Sequence, residues 1–328
     1  MRCMFHFLIV LGFVLFACNE RALKQTPNGL KFRVVKEGDG LFPKNGDVVL
    51  YNYRLVDSND SVWRDSYFRG IPLMESVRDS SSIPYEKKLK QMMRMVSRGD
   101  SIVVDFDLAS YYKDVEGRPV PNHSDPTLTL SYYIKIDSIM TLDAYRPWIA
   151  DILKKRWDAR LKEDGDSIDL FLSKGGIVPL KSKDGIRYIM IKKGSSVKSR
   201  TKQIVLVNYH GYFLNGKSFV SNVKSIATQS GIYDPNLEYE PLEVIIDQSS
   251  VIAGWHAALK LVGKGDRGIF YLPSTLAYGE QGLGNVVPPN SILVFDIEVL
   301  NLRDAKSHEL DSMNLLPKKG MRLPRKKD

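Results

Sequence analysis

Residues 251–300 constrain this chain more than any other stretch. They open VIAGWHAALKLVGKGDRGIFYLP, pass through AYGEQGLGNVVPPN and close on SILVFDIEVL. Val251, Trp255, Ala258, Leu259 and Val262 recur at helical spacing, which predicts one short helix. Ser249 or Ser250 is the expected N-cap and Gly263 the expected stop. Residues 269–272 read as a short apolar strand, followed by a Gly- and Pro-rich loop. Leu293, Phe295, Ile297 and Val299 then alternate as a half-buried strand. The helix therefore turns one face, Trp255 included, toward a sheet.

Several short motifs within and upstream of this stretch stand in a fixed order. They are Val207-Asn208-Tyr209-His210-Gly211, Gly216-Lys217-Ser218-Phe219, Val251-Ile252-Ala253-Gly254-Trp255, Ala277-Tyr278-Gly279, Val286-Val287-Pro288-Pro289 and Phe295-Asp296. Their order and spacing resemble the FKBP-type peptidyl-prolyl isomerases over roughly residues 178–303. The resemblance implies an α+β fold, a bent antiparallel β-sheet wrapped on a short α-helix. It implies catalysis of X-Pro bond rotation with no cofactor. Trp255 would be the floor under the proline ring, with Tyr209, Phe219, Val251, Ile252 and Phe295 as walls. The Ile252 N–H would donate to the substrate chain, the Tyr278 hydroxyl would meet the carbonyl of the rotating amide, and Val286 and Val287 would close the pocket. Three positions depart from the family pattern: Val220 stands for the usual aspartate, Leu242 for an aromatic wall, and Leu283 for a polar or aromatic flap residue.

The chemistry asked of such a pocket is modest. An X-Pro amide rotates over a barrier of about 18–20 kcal/mol through a twisted, less polar state. A dry apolar cleft disfavours the planar amide relative to that state, which is differential stabilisation. No metal site is expected, because the five histidines (His6, His123, His210, His256, His308) show no ligand spacing. The Gly-rich run of residues 279–284 lacks the Gly-Lys-Ser/Thr of a phosphate cradle.

At 328 residues the chain suits two domains. Residues 29–140 read as a faded copy of residues 177–303. Val49, Asn52 and Tyr53 match Val205, Asn208 and Tyr209. Tyr85, Leu89, Met92, Met93 and Val96 match the helix face of Val251 to Val262. Gly99-Asp100 matches Gly265-Asp266, Tyr112 matches Tyr278, and Leu130, Tyr132, Ile134 and Ile136 match the final strand. The copy lacks the pocket: Leu89 replaces Trp255, Trp63 and Arg64 replace Phe219 and Val220, and no Val-Val-Pro-Pro loop is present. A packing, dimerisation or client-holding role is expected for it. Residues 141–176 form the connector, with Ile149, Leu153, Trp157 and Leu161 as a helical stripe. Asp164-Gly165 is expected to interrupt that helix, and Ile168, Phe171 and Leu172 to continue it to Gly175-Gly176. Ile186, Tyr188 and Met190 open the second domain as a strand, residues 204–212 form the next, and residues 222–241 are expected as a surface loop at the pocket rim.

The ends carry separate signals. Arg2 precedes an apolar run over residues 7–16, too short for a permanent span and right for a signal-peptide core. It ends Leu15-Phe16-Ala17-Cys18, which resembles a bacterial lipoprotein cleavage box. That resemblance implies removal of residues 1–17, lipid on Cys18, a tether over residues 18–28, and a protein held at the cell envelope, facing the periplasm or exterior, on the outer membrane. Cys3 would leave with the signal, so the mature chain would hold a single, blocked thiol. The net charge of +9 is partly that of the tail over residues 304–328, with Lys318, Lys319, Arg322, Arg325, Lys326 and Lys327. No aromatics interleave there, so a disordered solvated end is expected and no nucleic-acid partner. The expected partners are proline-containing unfolded or nascent exported proteins. The alternative is a non-catalytic chaperone, or an assembly- or motility-associated lipoprotein that uses the same pocket for binding.

Overall fold

Side-chain alternation builds two antiparallel sheets. A computed structural model describes residues 23–78, 88–195, 197–307 and 309. The chain divides into two compact units, Met1–Ala150 and Asp151–Asp328. The first contains β1 (Lys24–Gln25), β2 (Lys31–Lys36), β3 (Asp47–Asp57), β4 (Val62–Asp65), β5 (Leu73–Ser76), α1 (Lys88–Met93), β6 (Ser101–Asp107), α2 (Leu108–Tyr111) and β7 (Thr129–Thr141). Its strands are ordered β1-β2-β6-β7-β3-β4, with β5 also pairing β3. In β7, Leu130, Tyr132, Ile134 and Ile136 are buried while the residues between them are not, so one face of the sheet meets Met92, Met93 and Val96.

Helix α3 (Leu142–Lys174) follows β7 directly, and the remaining elements form the second unit. They are β8 (Leu180–Lys181), β9 (Arg187–Lys192), β10 (Gln203–Phe213), β11 (Ser218–Ser221), α4 (Lys224–Gln229), β12 (Leu242–Ile245), α5 (Ala253–Leu259), β13 (Arg267–Leu272) and β14 (Leu293–Asp304). The strand order is β8-β9-β13-β14-β10-β11, with β12 also on β10, which is the first sheet repeated element for element. The repeat extends to detail. The long central pair carries a bulge after Leu50 in one unit and after Leu206 in the other. Each unit is tied by a buried aspartate: Asp100 accepts from the backbone N–H of Gly38 and Ser97, and Asp266 from those of Gly194 and Gly263. Gly99 and Gly265 precede them at φ 88° and 85°, a left-handed turn that glycine makes without strain. A Cβ on Gly38 would lie 2.0 Å from the Arg98 carbonyl oxygen, and one on Gly194 would lie 2.3 Å from that of Lys264. The protein is thus an α+β tandem of two domains of one fold, with a helix between them.

Helix α3 runs unbroken through Asp164-Gly165, where an interruption was expected. Glycine inside a helix costs about 1 kcal/mol relative to alanine, but here it leaves room for a neighbouring guanidinium. A Cβ on Gly165 would lie 2.7 Å from the Arg187 guanidinium, which itself grips Asp169. The second half of α3 seats Ile168 and Leu172 against Tyr271 and Val294 on the outer face of the second sheet. This is why Val294 is buried despite pointing away from the main core. The stripe expected earlier in the helix does not become a packed seam: Leu153 is 53% and Trp157 46% exposed.

Helix α5 also departs from its expected ends. Its N-cap is Ile252, without a side-chain cap, while Ser249 Oγ accepts from the Ile245 N–H at 2.8 Å. The helix ends at Leu259, before Gly263. The absence of a side chain at Gly263 serves instead to admit the Val197 carbonyl oxygen, which would lie 2.1 Å from a Cβ. The expected surface loop of residues 222–241 holds α4, entered through Asn222. That buried amide accepts from the Tyr209 N–H and donates to the carbonyls of Val207 and Glu240. The proposed leader, Cys18, the tether up to residue 22, Tyr85, and residues 308 and 310–328 of the basic tail lie outside the described residues. Among the described residues no helix is long and apolar enough to cross a membrane.

Candidate prolyl-binding site

The residues singled out for the pocket converge on one cluster. Strand β10 supplies Tyr209, β11 Phe219, β12 Leu242, α5 and its entry Val251, Ile252 and Trp255, and β14 Phe295. The loop between β13 and β14 supplies Tyr278, Leu283, Val286 and Val287. The indole of Trp255 meets the ring of Tyr209 edge-on at 4.9 Å and that of Phe295 at 5.3 Å. Phe295 meets Phe219 edge-on at 5.7 Å. Gly211 makes this packing possible, since a Cβ there would lie 2.7 Å from both Phe295 and Val220. Val220, which stands for the family's usual aspartate, is buried in this core.

Two layers result. Tyr209, Phe219, Trp255, Val287 and Phe295 are buried, whereas Leu242, Val251, Ile252, Tyr278 and Val286 are only partly covered. The expectation that the indole lies open as a floor is therefore corrected. Trp255 is 0% exposed. A cluster with so few polar atoms offers water little hydrogen bonding, so its side chains close-pack around the ring. The Trp255 Nε1 has no hydrogen-bond partner among the described residues. A ring seated on the indole has to displace the outer layer.

The polar groups at the mouth are those a bound amide would use. The Ile252 N–H donates to no acceptor among the described residues, because Ile252 stands ahead of the first helical turn. The Tyr278 hydroxyl has no partner there either, and burial holds its pKa above the ordinary phenol value. It therefore remains a protonated donor at neutral pH. Tyr209 is also pushed up, by burial first and by Tyr278 second. The lid is braced by its own backbone: Asn290 N donates to Gly279 O at 2.7 Å and Leu283 N to Val287 O at 2.7 Å. His256 caps the segment before α5, its Nδ1 accepting from Asp247 N at 3.0 Å, and burial lowers its pKa. Among the described residues no group of three or more His, Cys, Asp or Glu could hold a metal.

The first unit places different chemistry at the matching positions. Arg64, in the register of Val220, pairs with Glu116 at 2.8 Å, and the Tyr111 hydroxyl donates to the same carboxylate at 2.8 Å. Trp63 donates from Nε1 to Asp57. Glu75 stands where buried Val244 does and pairs with Lys90 at 2.7 Å. Burial, then Glu75, pushes Tyr51 up to about 12. Ion pairs and phenols occupy the place of an apolar cleft.

Comparison with known proteins agrees with the geometry of the second unit. Residues 195–300 match the family model of the FKBP-type peptidyl-prolyl cis-trans isomerases. FK506-binding protein 2 of Candida glabrata is 30% identical over 132 residues, which cover 38% of this chain and 88% of that protein. The chain belongs to the FKBP-type peptidyl-prolyl cis-trans isomerase family. A probable FKBP-type isomerase of Haemophilus influenzae is 36% identical over 141 residues, 43% of this chain and 52% of that one. The chain thus spans about half the length of the bacterial relatives it matches. The crystal structure of FkpA from Escherichia coli is 27% identical over 50% of this chain and 71% of that one, with a TM-score of 0.35. The family model match, residues 195–300, carries Trp255 and Tyr278 and leaves α3 and the first unit outside it.

Sequence reasoning missed Asn222, Asp164 and Ser274. Asn222 had one available signal, because Ser66 occupies its place in the first unit and accepts from the Tyr53 N–H in the same way. Asp164 was hidden by its glycine neighbour, which reads as a helix break.

Proposed function

We propose that the second unit is a peptidyl-prolyl cis-trans isomerase acting on X-Pro bonds of exported proteins, by desolvation against the cluster of Tyr209, Trp255 and Phe295 once its outer layer is displaced. The observation that carries this reading is the pairing of a predominantly apolar aromatic cluster with two partnerless donors beside it, Ile252 N–H and Tyr278 Oη. A peptide carbonyl accepting from Ile252 would align the chain. The proline ring would enter by displacing Val251, Ile252 and Val286. Inside, loss of water raises the planar amide relative to the twisted one, and Tyr278 holds the carbonyl in place while the prolyl nitrogen turns. A thousandfold acceleration requires only about 4 kcal/mol, which apolar burial and one hydrogen bond can supply. Lipid on Cys18 would hold the protein at the envelope, the outer membrane included, where clients emerge unfolded. The test is cis/trans exchange of a proline peptide with the full chain. The reading fails if exchange stays at its spontaneous rate.

The sealed indole favours a second reading, a non-catalytic holder or assembly lipoprotein that binds clients on the outer layer alone. Client binding that survives Trp255→Leu, without any acceleration by the parent, would select it.

A further inference from the structure

Helix α3 lies outside residues 195–300, which the family model matches, yet it grips the loop carrying Tyr278. Asp164 is buried, and its Oδ2 accepts from Ser274 twice, at 2.7 Å from the backbone N and 2.6 Å from Oγ. Ser274 is 0% exposed and opens the tight turn Ser274–Leu276; its carbonyl accepts from Ala277 N at 2.9 Å, immediately before Tyr278. Arg156, two turns earlier on α3, forms an ion pair with Glu280, just beyond Tyr278. One helix thus meets the loop on both sides of the tyrosine. Ile168 and Leu172 already seat α3 by apolar packing. A buried carboxylate adds little adhesion, because its desolvation offsets much of what its bonds contribute. What it adds is direction, since both donors belong to the residue at which the turn begins.

We infer that Asp164 is a positioning residue for the proposed isomerase: through Ser274 it sets where the Tyr278 hydroxyl stands over the cleft. The inference rests on the proposed function and reaches beyond the family-matched segment. The isomerase domain is completed by a side chain from the helix preceding it.

The test uses the full chain with Asp164→Ala, Asp164→Asn and Ser274→Ala. Two readouts are taken well below the melting midpoint: exchange kinetics on a proline peptide, resolved into kcat and KM, and amide hydrogen exchange over residues 274–282. Asp164→Ala is expected to lower kcat about tenfold with KM within about twofold, the mark of an interaction made in the transition state. Asp164→Asn, which keeps an acceptor for the Ser274 N–H, recovers part of kcat. Amide exchange rises over residues 274–282 and not across the rest of the second sheet. A parental kcat for Asp164→Ala, or a rise in exchange spread evenly over the unit, overturns the inference. If Asp164→Ala does not fold, Asp164→Asn and Ser274→Ala carry the same test, and parental values of both readouts in both variants overturn it. If the parent is itself inactive, the enzymatic reading fails, and amide exchange alone decides whether the clamp stands.

Discussion

Asp266→Ala should unfold the second unit far more readily than a typical surface change. The carboxylate is buried and accepts from Gly194 N at 2.6 Å and Gly263 N at 2.8 Å. It therefore ties the exit of β9, the exit of α5 and the start of β13 at one point. Neither glycine can shift to find another partner, because backbone oxygens of Lys264 and Val197 crowd them. A hydrogen bond to a charged group contributes about 1.5–3 kcal/mol, and one buried and one part-buried N–H lose theirs together, so the expected loss is about 3–5 kcal/mol. With a urea slope near 2 kcal/mol/M, the midpoint should fall by about 1.5–2.5 M. Equilibrium unfolding followed by the emission of buried Trp255, with Trp63, Trp148 and Trp157 each replaced by Phe, reads this directly. The first unit provides an internal control: Asp100→Ala should weaken the unit holding Trp63 by a similar amount and leave the Trp255 transition in place. A fall of less than about 0.5 M for Asp266→Ala would refute the reasoning, since it would mean that the two N–H groups find other partners.

Other outcomes follow from the same structure. Tyr278→Phe should lower kcat/KM about tenfold by removing the hydrogen bond that positions the amide carbonyl, with the urea midpoint unchanged; equal rates for variant and parent would remove Tyr278 from the site. Burial lowers the pKa of His210 and His256 from the ordinary value near 6.5. The unfolded chain therefore binds protons first, and stability present above pH 6.5 is lost as pH falls through the folded values. The Trp255 midpoint should drop between pH 7.5 and pH 5.5, and a flat profile would contradict the assignment. Trp255→Leu should cost about 2–4 kcal/mol by cavity formation and abolish exchange; full activity in a folded variant would show that substrate never reaches the indole.

The strands and the pocket set were legible because both depend on local pattern. Period-two alternation in residues 130–136 and 293–299 produced strands, and the motif order brought Tyr209, Phe219, Trp255 and Phe295 together. The duplication was visible in Gly99-Asp100 and Gly265-Asp266, though not the reason for it, the shared buried carboxylate. What stayed hidden depends on tertiary contact. Gly165 looks like a helix break until Arg187 is seen lying against it. Ser249 looks like an N-cap until its hydroxyl is seen bonded backward to Ile245. Trp255 looks like an open floor because sequence gives membership of a cluster and not the closeness of its walls. The exposed stripe of Leu153 and Trp157 has ideal helical spacing, but spacing alone does not provide a surface to pack against.

The central claim is that this apolar cleft turns prolyl bonds. Magnetisation-exchange NMR on a short X-Pro peptide, with and without the full chain at 10 °C, tests it most directly. The account predicts cis/trans exchange accelerated well above the spontaneous rate by parent protein and sharply reduced by Trp255→Leu. Exchange equal to the peptide alone, with the second unit shown to be folded, would contradict it.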